Sequence, residues 1–168
     1  MRKFSVRDLT VAALVAALYA VMGYFGNIFG LTFGPIQFRF AEALTVLPFL
    51  FPAAAPGLAI GCLITNLLSP YGPVDIIFGT LATAIAARWT VKVPKWYLAA
   101  VPPIVMNLMI LPPMWAWTAV GGFGGGFWGA WVYNAVTFLI GEVVVCYVLG
   151  TVLLKVLPTI PGLPVKRR

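Results

Sequence analysis

The chain carries four acidic residues, Asp8, Glu42, Asp75 and Glu142, and 62% of its 168 residues are hydrophobic. Glu142 stands halfway along an apolar run, where an ionisable group costs roughly 2.5–3.5 kcal/mol and must face the protein interior or a partner. Glu42 follows Arg39 by three residues, a spacing that sets both on one helical face. The two can form an internal ion pair or, with Gln37, line a polar pocket. Asp75 comes after the turn Ser69-Pro70-Tyr71-Gly72-Pro73 and opens an apolar run, so it can cap a helix, touch a ligand, or do both. Asp8 stands at the mouth of the first run, where a cap or helix-dipole contact suits a carboxylate. Asn27, Gln37, Asn66, Asn107 and Asn134 extend the polar set near the ends of apolar runs. Each can be interhelical glue or a ligand contact.

Trp115, Trp117, Phe123, Phe127, Trp128 and Trp131 crowd a connection and the start of the last run. An interfacial belt accounts for such residues one at a time. Together with Tyr133 they also offer a planar ligand stacking surfaces, worth roughly 1–3 kcal/mol per base by analogy with nucleobase binding. The stretch Gly121-Gly122-Phe123-Gly124-Gly125-Gly126-Phe127 reads as a mobile gate, since no strand or Lys supports a phosphate loop.

Covalent catalysis has little to draw on. There is no His, and the serines, Ser5 and Ser69, have no base to activate them. Cys62 and Cys146 are isolated in apolar runs, so neither a metal site nor a disulfide framework is expected, and no cofactor is implied. Without a Gly-Lys dipeptide there is no phosphate-cradling loop, so any ATP-driven work belongs to another chain.

The elements that must position these residues are membrane helices. Only 9% of residues are charged and mean hydropathy is +1.01, far from the composition of a soluble domain. Continuous apolar runs without strand-like alternation fall at about 9–27, 41–53, 57–68, 75–91, 97–113 and 128–155. They predict an all-α integral membrane protein, a single domain over 1–168 of about six spans. The second and third runs are short and are either full spans or one re-entrant hairpin, with Pro48 kinking the first of the pair. The first run is too long for the core of a secretory signal and predicts a retained helix.

Net charge is +7, but the basic residues are scattered between spans and read as topology signals, not as a nucleic-acid face. Arg2, Lys3 and Arg7 precede the first span, Arg88, Lys92 and Lys95 separate the fourth and fifth, and Lys155, Lys166, Arg167 and Arg168 follow the last. Ten of eleven basic residues therefore fall on one side, which places both termini in the cytoplasm of a multi-pass cytoplasmic-membrane protein. Arg39 is the exception, on the outside beside Glu42. The first helix bears Ala12, Ala16, Ala20 and Gly23 on one face, beside Ala13 and Ala17. Small residues at this spacing admit another helix, from this chain or a partner. Gly57 to Gly61 and the Gly79, Thr83, Ala87 series look like internal packing.

The segment from Gly34 to Pro48, GPIQFRFAEALTVLP, with Asn66 and the stretch Asp75-Ile76-Ile77-Phe78-Gly79-Thr80-Leu81-Ala82-Thr83, resembles the QueT family. Its members are substrate-binding S components of energy-coupling factor (ECF) transporters, proposed to import queuosine precursors. The resemblance implies a six-helix S-component bundle that captures substrate outside and associates with a T component and two cytoplasmic ATPase subunits. It implies too that the S component tilts in the lipid bilayer to release its cargo, and that the alanine face of the first helix docks on the T component.

A 7-deazaguanine, such as the aminomethyl form, fits the polar set. The adjacent N1–H and N2–H donors of a guanine edge match one carboxylate, Glu42 first and Asp75 as the alternative. Gln37, Arg39, Asn66 or Asn107 can serve O6 and N3, while Trp115, Trp117 or Tyr133 can stack on the ring. Asn134 lies at similar depth, and a second carboxylate such as Glu142 suits an aminomethyl cation. Two other readings stay open: an S component for another vitamin-like molecule, and a membrane assembly subunit whose polar residues only join helices.

Overall fold

A computed structural model describes residues 4–32, 36–163 and 165. Arg2, Lys3, Lys166, Arg167 and Arg168, and the motif positions Gly34 and Pro35, lie outside the described residues. Those described form an all-helical bundle without strands. The first helix, α1, spans Val6–Ile28 and starts with a capping box: the Ser5 hydroxyl accepts from the Asp8 amide at 3.2 Å, and the Asp8 carboxylate accepts from the Ser5 amide at 3.0 Å. Asp8 is thus a cap.

The second run is a 3-10 helix, Phe40–Phe49, buried from Ala41 to Phe49. Its ten residues far exceed the three or four at which such winding usually stops. Pro48 has no amide for an i→i−4 bond, and the Thr45 hydroxyl adds a bond of 2.5 Å to the Glu42 carbonyl. Helix α2 follows at Ala54–Asn66, three residues earlier than its apolar run suggests. A π-wound turn, Asp75–Gly79, leads into α3, Thr80–Thr90.

Helix α4, Val101–Val120, departs most from the sequence expectation. The expected span stops at the Pro112-Pro113 pair, yet the helix runs through it to a Gly121 cap at φ 74°. Leu111, Trp115 and Ala116 are buried on both sides of the prolines, so packing outweighs the lost backbone bonds. Trp115 and Trp117 are therefore helical residues, not loop residues. The last run comprises α5 (Phe127–Val143), a π-wound stretch (Val144–Leu149) and α6 (Gly150–Val156).

Three helical stretches, Val6–Ile28, Trp96–Val120 and Phe127–Thr159, are long and apolar enough to cross a membrane; Phe40–Phe49 and Ala54–Asn66 are shorter apolar helices. Many large apolar side chains lie exposed on the outside of the bundle, including Leu14, Leu18, Met109, Val132 and Val152, as befits a lipid-facing surface.

Helix directions follow from contacts between named residues. A Cβ on Gly57 would strike the Ala12 carbonyl, one on Gly61 would strike Ala16 and Tyr19, and one on Gly23 would strike Thr65. Residue numbers rise together on both helices, so α1 and α2 run parallel. By the same logic Gly141 abuts Gln37 and Gly150 abuts Val46, so Phe40–Phe49 runs parallel to the last rod. Helix α4 is antiparallel to its neighbours, with Trp115 reaching Asp75 and Phe138 while Asn107 reaches Glu142. The alanine face of α1 is occupied internally: Ala12, Ala16 and Gly23 are buried against α2, and Ala20 is half-buried. Ala13 and Ala17 are the exposed small residues of this helix. Gly57, Gly61, Gly79, Thr83 and Ala87 pack inside, as their spacing suggests.

Candidate functional site

Two buried polar groups meet along the axis of the bundle. The first gathers around Asp75, at the π-wound turn. Its Oδ1 accepts the Trp115 indole N–H at 2.7 Å and its Oδ2 accepts the Ser69 hydroxyl at 2.6 Å. Asn66, at the end of α2, donates to the Asp75 backbone carbonyl at 2.8 Å and accepts from Arg39 Nη2 at 2.9 Å. The Arg39 guanidinium also lies within electrostatic reach of Glu42 and Asp75. Tyr71 stacks on Trp115 with centroids 5.1 Å apart, and Phe138 meets that indole edge-on at 5.4 Å. Trp115 thus packs against two rings of its own chain. Partial burial, and after it the Asp75 side chain, raise the Tyr71 phenol above its usual range, so it remains a neutral hydroxyl.

The second group lies deeper and joins five elements. Glu42 Oε1 accepts from the Tyr19 hydroxyl of α1 at 2.6 Å. Asn107 of α4 donates to Glu142 Oε1 of α5 at 2.9 Å, and the Cys146 thiol bridges toward the Glu142 carboxyl at 3.7 Å and the Glu42 carbonyl at 3.6 Å. Gln37 is held beside this set, its backbone carbonyl pressed on Gly141 next to Glu142. Gln37, Glu42, Asn107 and Glu142 are all at most 5% exposed.

Three of these side chains end in a buried oxygen with no hydrogen-bond partner: Gln37 Oε1, Glu42 Oε2 and Asn107 Oδ1. A buried polar atom without a partner costs about 1–3 kcal/mol. All three are acceptors, so each would be satisfied by an N–H or O–H donor. Thr80 Oγ1, on α3, is also buried and unpartnered. Among the described residues no three His, Cys, Asp or Glu side chains converge as metal ligands.

Of the residues singled out in the sequence, Gln37, Arg39, Glu42, Asn66, Asp75, Asn107, Trp115 and Glu142 are buried together in these two groups. Trp117 and Tyr133 are instead 45% and 60% exposed on the outside of the bundle, and Asn134 is half-buried outside both networks. Sequence reasoning missed Tyr19, Ser69 and Tyr71. Tyr19 follows Ala16 by three residues and Ala12 by seven, so it shares the small-residue face that packs on α2, and that spacing was the available signal.

A family model described as QueT transporter matches residues 9–159. Among curated proteins, the chain is similar to the Queuosine precursor transporter QueT of Lactococcus lactis subsp. cremoris (strain MG1363), 36% identical over 85 residues. That alignment covers 51% of this chain and 50% of the relative, so the match spans about half the length of each protein. No solved structure matches.

Proposed function

The chain belongs to the QueT transporter family, and from that premise we propose that it is the membrane-embedded S component of an ECF-type importer. Its cargo is a queuosine precursor, a 7-deazaguanine taken from outside the cell. The observation that carries this is the trio of buried, unpartnered acceptors Gln37 Oε1, Glu42 Oε2 and Asn107 Oδ1. A 7-deazaguanine presents adjacent N1–H and N2–H donors, and a hydrogen bond from such a donor to a carboxylate oxygen is stronger than one between neutral groups. Glu42 supplies that carboxylate oxygen, with Gln37 and Asn107 close by for the remaining donors. Arg39, Asn66 and Asp75 form the wall above it. Trp117, Tyr133 and Asn134 lie away from this cluster and contribute only through a rearranged state.

The chain works as the binding subunit, and ATP hydrolysis resides in two cytoplasmic ATPase subunits attached through a T component. The described basic residues support the corresponding orientation. Arg7 bonds the Gly162 carbonyl, Lys155 covers Trp96, and Arg88 shares a surface groove with Phe4, so they gather at the end that holds the N-terminus. That end is cytoplasmic by the positive-inside rule, and Phe40–Phe49 and α2 complete a six-span bundle. Docking on the T component uses the alanine side of α1. Because Ala12, Ala16 and Gly23 are covered by α2, the exposed Ala13 and Ala17 carry the contact unless α1 moves.

Equilibrium binding to the purified protein tests the substrate class. A 7-deazaguanine series should bind at micromolar concentration or better and compete with one another, while guanosine phosphates should not. No binding by any 7-deazaguanine would overturn the proposal.

A further inference from the structure

The deep cluster contains one contribution from α1, the Tyr19 hydroxyl on Glu42 Oε1. We propose that Tyr19 is a positioning residue that fixes the Glu42 carboxyl so that one oxygen is held and the other is presented to the ligand. This role rests on the ligand-binding reading above and adds α1 to the site.

Glu42 sits in the first turn of a 3-10 helix with no side-chain cap, on a backbone whose hydrogen bonds are poorer than those of an α-helix. Its side chain has rotatable torsions that would otherwise leave both carboxyl oxygens free to turn. A 2.6 Å bond is in the range of a hydroxyl donating to a carboxylate, about 2.5–2.7 Å. With Oε1 so engaged, Oε2 is the buried oxygen left without a partner.

Tyr19 can reach Glu42 only in one register of α1. The residue is 1% exposed, and its Cβ lies against Gly61, where any side chain would collide with it and with the Ala16 carbonyl. Gly57 against Ala12 and Gly23 against Thr65 lock the same register on either side. The sequence of contacts is therefore glycine notch, helix register, Tyr19 hydroxyl, Glu42 oxygen, ligand. A displacement of α1 along α2 would reach the ligand through this bond.

A double-mutant cycle on the full chain in detergent, with an aminomethyl 7-deazaguanine as probe, tests this. Tyr19→Phe keeps the Cβ that lies against Gly61 and the ring beyond it, and removes only the hydroxyl. It should raise Kd about tenfold with a modest fall in Tm from the lost bond to Glu42, and Glu42→Gln should raise Kd at least as much. The double variant should bind no worse than Glu42→Gln alone, because the hydroxyl acts through that carboxylate. Gly61→Ala, which displaces Tyr19 without touching its chemistry, should weaken binding in the same direction. An unchanged Kd for Tyr19→Phe, additive losses in the double variant, or a fall in Tm without a fall in affinity would each overturn the positioning role while leaving the substrate class standing. If the wild-type protein binds no 7-deazaguanine, the substrate reading fails first and the role of Tyr19 falls with it.

Discussion

Glu42 and Glu142 occupy one buried cluster but have different duties. Glu142 is paired with Asn107, whose amide would lose its acceptor if the carboxyl were removed. Glu142→Ala should therefore destabilise the protein by about 1–3 kcal/mol, seen as a lower Tm, whereas Glu142→Gln should keep most of the stability. Glu42 has an oxygen to spare. Glu42→Gln should leave Tm nearly unchanged and weaken binding by about 1.5–3 kcal/mol, roughly ten- to a hundredfold in Kd, measured by calorimetry. Both glutamates were legible in the sequence because an ionisable group among apolar residues needs an interior reason to exist. Tyr19 was not, since a tyrosine in an apolar helix looks like any other aromatic until its partner is known. Trp117 and Tyr133 were singled out for their aromatic type, and both stand exposed on the outside of the bundle, away from the buried cluster.

The all-helical character and the order of the apolar stretches were legible, their ends and winding less so. Apolar runs carry no mark that separates 3-10 from α winding, which is why Phe40–Phe49 was expected as a kinked α-helix. The Pro112-Pro113 pair looked like a stop because the strength of packing around Leu111 and Trp115 is a tertiary property. Small residues were more informative: Gly57 and Gly61 were placed inside by their spacing, and the structure has Cα atoms there directly against the α1 backbone. Gly57→Leu should prevent α1 from seating on α2, since the obstruction is the Ala12 carbonyl and not a movable side chain. Loss of the monodisperse peak in size-exclusion chromatography would register it, with Gly124→Leu, at a glycine with open space around it, as the harmless control.

At the scale of the whole molecule, composition alone placed the chain in lipid, and charge distribution proposed which way it faces. Cys62 and Cys146 are fully buried, so the protein provides its own low background for accessibility labelling. A cysteine at Gly124, in the exposed connection between α4 and α5, should react with a membrane-impermeant maleimide on intact cells, and one at Lys95 only after the cells are opened. The reverse pattern would invert the topology. The unusual winding of Phe40–Phe49 also bears on how so short a chain fills a bilayer. At about 2.0 Å per residue its ten residues reach roughly 20 Å, the same as the thirteen residues of α2 at about 1.5 Å each. Stretched winding thus saves about three residues of chain, and it lets Phe40–Phe49 match α2 in length, so that Arg39 at the start of one meets Asn66 at the end of the other.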